Sequence, residues 1–122
     1  MNIDLSDVSL SPRWRKKFIG SKIHLIKWDV GIEKGNEWIY ASINNADERG
    51  VLINWLNTKS PPITGPAVEF SQDYTYLKSI TLNDNIIQRF VAATGRIFIH
   101  VNMEWIFEFR NENIARFGRW VH

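Results

Sequence analysis

The chain has 122 residues, 44% of them apolar and 23% charged, which suits one domain spanning 1–122 and is too short for two. It contains no cysteine, so disulfides, thiolate zinc sites and cysteine nucleophiles are excluded. Net charge is only +2, but residues 1–27 hold six basic and two acidic side chains, so the remainder is net acidic. Six tryptophans in so short a chain add rigid amphipathic area of the kind that protein-binding surfaces use. No apolar run approaches the 18 or so residues that cross a bilayer, and the first residues lack a basic region followed by an apolar one. A cytoplasmic location, with no membrane contact, is expected.

Residues 1–10 are polar and aperiodic, predicting an extended arm or edge strand. Ser11-Pro12 reads as an N-cap followed by a first helical position, which opens a short helix over about 12–19 that Gly20 ends. Trp14 and Phe18 share one face of it, and a helix this short needs them docked. Lys22–Val30 alternates as a strand, Gly31–Asn36 reads as a hairpin loop, and Trp38–Ile43 as the return strand. Asn44–Gly50 is rich in turn formers. Val51–Leu56 suits either a helix or a strand; Gly50 and the β-branched residues favour a strand that extends a meander.

Thr58–Pro66 carries three of the four prolines and is a loop. Ala67–Phe70 and Tyr74–Ile80 are strand candidates. The best-marked helix covers about 82–94: Thr81 or Asn83 caps it, Ile86, Ile87, Phe90 and Val91 form one apolar stripe, and Gly95 stops it. Arg96–Val101 follows as a strand. In the next one Met103, Trp105, Phe107 and Phe109 alternate with Glu104, Ile106, Glu108 and Arg110, predicting one dry and one wet face. Ile114–His122 is a last strand. These elements predict an α+β fold: a single, mostly antiparallel, curved sheet of five to seven strands with the 82–94 helix packed on one face.

No phosphate-cradling glycine loop, nucleophile elbow or dinucleotide fingerprint occurs, and no His and carboxylate spacing suits a metal, so neither enzyme activity, metal nor cofactor is expected. His24 and His100, each in a predicted strand, could serve a metal-independent ribonuclease, although no motif surrounds either. The basic segment 13–27, with Arg13, Trp14, Arg15, Lys16, Lys17 and Lys22, combines phosphate-binding charges with an aromatic platform and is the nucleic-acid candidate; a solvated helix face is its plain alternative. Glu104, Glu108 and Glu112 fall on the predicted wet face, and Asp47-Glu48 and the Asp29/Glu33/Glu37 group add acidic loops. Together they could present an acidic stripe to a basic partner, with Trp38 or Trp55 as an exposed anchor.

In size, composition and lack of catalytic motifs the whole chain resembles the immunity proteins of bacterial polymorphic-toxin systems, including those of contact-dependent growth inhibition. That resemblance implies a small cytosolic protein that neutralises a cognate toxin domain, often a nuclease, by tight binding. Many immunity proteins that block basic nucleases are acidic, whereas the pI here is about 9.0, so charge complementarity would rest on a local acidic face. A phage inhibitor of a host defence system belongs to the same class of binder.

Overall fold

The computed structural model describes residues 12–32, 35–42, 44–81 and 85–121, without the side chains of Pro12, Trp14 and Phe18. The expectations placed on residues 1–11, on Glu33, Ile43, Asn83, Asp84 and His122, and on the docking of Trp14 and Phe18 lie outside the described residues. Three helices, α1 (Pro12–Lys22), α2 (Ala46–Asn57) and α3 (Ile86–Phe90), accompany seven strands among those residues. The strands are β1 (Ile26–Trp28), β2 (Ile39–Tyr40), β3 (Ala67–Ser71), β4 (Leu77–Ile80), β5 (Arg96–His100), β6 (Trp105–Phe109) and β7 (Ile114–Trp120). They form one open antiparallel sheet in the order β1-β7-β6-β5-β3-β4, with β2 also on β7. The fold is α+β, as predicted.

Apolar side chains alternate between two cores because both sheet faces are covered. On one face α2 and α3 lie over Ala67, Phe98, Trp105, Phe107, Phe109 and Phe117. Phe90 of α3 stacks on Phe107 with centroids 4.4 Å apart and meets Phe98 at 4.8 Å, so the stripe foreseen for this helix does pack the sheet. On the other face Ile19 of α1 joins Val68, Phe70, Ile97, Ile99, Met103, Ile106 and Trp120. α1 is tied down at both ends: Arg15 donates to the carbonyls of Tyr74 and Thr75, and the Trp120 indole N–H donates to the Lys22 carbonyl at 3.0 Å.

Several local expectations are corrected. Val51–Leu56 is helical: the Asn45 side chain accepts the N–H groups of Asp47 and Glu48, so the polar stretch before it is the capped start of α2. Asp47 and Glu48 then lie in the first turn, where the helix dipole favours negative charge. α1 runs through Gly20 to Lys22, and a single 3-10 turn, Ile23–Leu25, replaces the first part of the predicted strand. α3 is five residues long and capped by Asn85, whose side chain accepts from Gln88, in place of a helix over 82–94 capped by Thr81 or Asn83. Gly95 keeps its left-handed backbone (φ 74), but serves the entry to β5, where its N–H donates to the Phe109 carbonyl. The Asn111 side chain sits where a Cβ on Gly95 would be, 2.5 Å away at the nearest atom.

The predicted 22–43 hairpin is absent. β1 and β2 run in the same direction along β7, Ile26–Trp28 against 118–120 and Ile39–Tyr40 against 114–115. They amount to one edge strand broken by an excursion between Asp29 and Trp38. β6, finally, has no wet face: Ile106 and Glu108 are as buried as Trp105 and Phe107, because β6 is central and the α1 side covers what β6 shows there.

Candidate partner-binding surface

The break in the edge strand is built around Arg116. Asp29 N–H still donates to the Phe117 carbonyl, pairing resumes at Ile39–Ala115, and Arg116 lies opposite the gap. Its guanidinium fills the neck of the excursion, between the Trp28 ring at 3.6 Å and the Trp38 ring at 4.2 Å. Nη1 donates to Glu37 at 2.8 Å, and Nη2 reaches both oxygens of Glu108 at 3.4 Å. Trp28 can lie flat here because its partner on β7 is Gly118, where a Cβ would come within 3.0 Å of the indole. The excursion is closed on itself by Gly31 N–H donating to the Asn36 carbonyl at 2.7 Å and by the Asn36 side chain accepting from Trp38 N–H.

This pinned excursion pushes apolar side chains outward. Val30, Ile32, Tyr40 and Val51 are 63%, 53%, 72% and 48% exposed. Ile32, Tyr40 and Val51 line a cleft of about 370 Å³ floored by Trp38, Ile39 and Ile114, and Val30 lines a second hollow on the Trp28 side of Trp38. The rim is acidic. Glu37 adjoins Trp38, exposed Asp47 lies one turn before Val51 on α2, and exposed Glu112 stands in the turn that leads into Ile114.

The other residues singled out in the sequence are dispersed. Glu104 is exposed in the β5–β6 turn, at the far end of the sheet from Glu112, which pairs with Arg110 at 3.3 Å. Glu108 is 4% exposed and bonded to Arg116, so the three glutamates form no stripe. Trp38 lies in the cleft, whereas Trp55 is on α2 with Lys59 Nζ 3.7 Å from its ring centroid. Arg13, Lys16 and Lys17 are exposed on α1, Lys22 is half-buried, and Arg15 is buried in its bonds to the β3–β4 turn. His24 is in the 3-10 turn rather than a strand, and His100 ends β5, three strands from β1, so about 14 Å of sheet separates them.

Titration is shifted at three places. Hydrogen bonds from the Ser71 and Thr75 hydroxyls, and from Thr75 N–H, lower Asp73 to about 2, so this turn carboxylate stays ionised further into acid than an ordinary aspartate. Burial, and then the Glu108 charge, raise Tyr74. Burial lowers His100, outweighing nearby Glu104. No group of three or more metal-ligating side chains occurs among the described residues, and no helix there is long and apolar enough to cross a membrane. Comparison with protein-family models, curated proteins and solved structures finds no match to this chain.

Proposed function

We propose that this chain is a non-catalytic, cytoplasmic binding protein, an immunity protein that neutralises a cognate bacterial toxin domain, such as a nuclease, by tight binding that blocks its active site. The observation that carries the reading is the gathering of exposed Val30, Ile32, Tyr40 and Val51 around Trp38, in two adjoining hollows at the broken edge strand. Exposed apolar area rimmed by polar groups is what protein interfaces use, and aromatic anchors in its centre supply most of the affinity. In this reading Trp38 and Tyr40 anchor the partner, and Glu37, Asp47 and Glu112 steer its basic surface. Glu104 and Trp55 are left to the periphery.

Co-expression with the product of the adjacent upstream gene, followed by gel filtration, tests the reading. A stable complex is expected, together with toxicity of the neighbour when expressed alone. Absence of a complex would overturn it. Nucleic-acid binding through α1 is the second reading, favoured by exposed Arg13, Lys16 and Lys17; it requires affinity for single strands that falls steeply with salt.

A further inference from the structure

At the other end of β7 the register sets Lys27 and Arg119 directly opposite each other, on the sheet face that carries α2. Cross-strand partners have Cβ atoms about 4.5–5.5 Å apart, and like charges so placed destabilise the pair. Neither forms an ion pair among the described residues. A third cation is fixed beside them: Lys59, in the loop after α2, has Nζ 2.9 Å from Asp29 and over the Trp55 ring, and its side chain is only 11% exposed. Arg119 is also held, with Nη2 donating to the Pro61 carbonyl at 2.7 Å. Lys59 and Arg119 are thus tethered in place, while Lys27 is exposed. Between them opens a cleft of about 350 Å³ whose walls include Ser60 and Val121.

Three cations against the single carboxylate of Asp29 leave the cleft two charges positive. A phosphomonoester near neutrality carries about −1.5 to −2, a phosphodiester a single negative charge, and either offers acceptor oxygens to several donors at once. Arg119 uses one of its five N–H donors on Pro61, and Lys27 and Ser60, both able to donate, line the same cleft. We propose that this cleft binds a phosphate group, carried by a small phosphomonoester or by a nucleic-acid strand. Bound phosphate offsets the Lys27–Arg119 repulsion, which among the described residues no ion pair to either side chain relieves. The site is separate from the apolar cleft at Ile114, so it stands or falls independently of the partner-binding reading.

Titration calorimetry of the full chain with inorganic phosphate, at ionic strength matched with chloride, tests the proposal. One site per chain is expected, and Lys27→Gln should weaken it by about tenfold or more, as loss of a charge-assisted contact does. Lys27→Gln removes a like-charge neighbour, so its melting temperature should not fall, which separates lost binding from lost folding. Arg119→Gln should weaken phosphate similarly, while Lys78→Gln, at an exposed position on the opposite edge strand β4, leaves it unchanged. A short oligothymidylate forms the second arm: displacement by phosphate identifies a nucleic-acid strand as the source, and phosphate binding without oligonucleotide binding identifies a small phosphomonoester. Phosphate that binds no better than chloride, or equally well to Lys27→Gln, would overturn the proposal.

Discussion

The guanidinium of Arg116 meets two indole faces and two carboxylates, and its Nε is buried without a hydrogen-bond partner. Each cation–π contact is worth about 0.5–2 kcal/mol depending on desolvation, but the larger consequence concerns Glu108. Without Arg116, that buried carboxylate keeps, among the described residues, Arg110 as its one ion-pair partner, 4.0 Å away. Arg116→Ala is expected to destabilise the fold by about 3–5 kcal/mol, read from the urea midpoint, as loss of one partner of a buried pair does. Arg116→Lys should recover only part of this, because an ammonium neither stacks between two rings nor spans two carboxylates. His100 gives a pH signature. Its Nδ1 accepts the Asn102 N–H at 3.1 Å, and burial holds its folded pKa below the ordinary 6.5. The unfolded chain therefore binds the proton first as pH falls. The stability contributed by the neutral ring is complete above 6.5 and is lost as pH drops through the folded pKa. Denaturation midpoints measured across this range should decline on the acid side, and His100→Gln should remove that component of the slope.

At the scale of the element, α2 shows how a locally ambiguous segment is decided. Leu52 and Leu56, four apart, are both buried, and Ile53 and Trp55 pack against the same core. Gly50 sits within the helix, where an added Cβ would meet nothing within 4 Å. Gly50→Ala should therefore stabilise the protein by about 0.5–1 kcal/mol in thermal or urea unfolding, by lowering the entropy lost on ordering the backbone. An unchanged or lowered midpoint would contradict the helical environment assigned to this residue. β6 makes the complementary point. Its alternation of large apolar and charged residues suits a half-buried strand, yet the pairing of Glu108 with Arg116 lets a carboxylate lie inside a covered face.

Across the whole molecule, the sheet has both faces covered and one edge interrupted, and that edge carries both clefts. The excursion between β1 and β2 exposes apolar side chains, while the end of β7 gathers cations. If the apolar surface is the interface, Tyr40→Ser combined with Val51→Ser should leave the unfolding midpoint nearly unchanged, since both side chains are exposed. The same variant should weaken the partner complex by about tenfold or more in a pull-down or calorimetric titration, because truncated anchors cost more than 1 kcal/mol each. Normal binding by the folded variant would move the interface elsewhere.

Local pattern was enough to place β3 to β7, the stripe of Ile86, Ile87, Phe90 and Val91, and the left-handed Gly95. Side-chain alternation, helical spacing and the steric freedom of glycine act over a few residues, so the chain itself declares them. What covers each face is not declared there. Only the packed fold shows α1 lying over the Glu108 side, and only Asn45 capping together with burial of Leu52 and Leu56 turns Val51–Leu56 from strand to helix. The same holds for both clefts. Trp28, Trp38 and Arg116 meet, and Lys27 faces Arg119, because β1 and β2 both pair with the last strand, a register set between residues 74 to 94 positions apart in sequence.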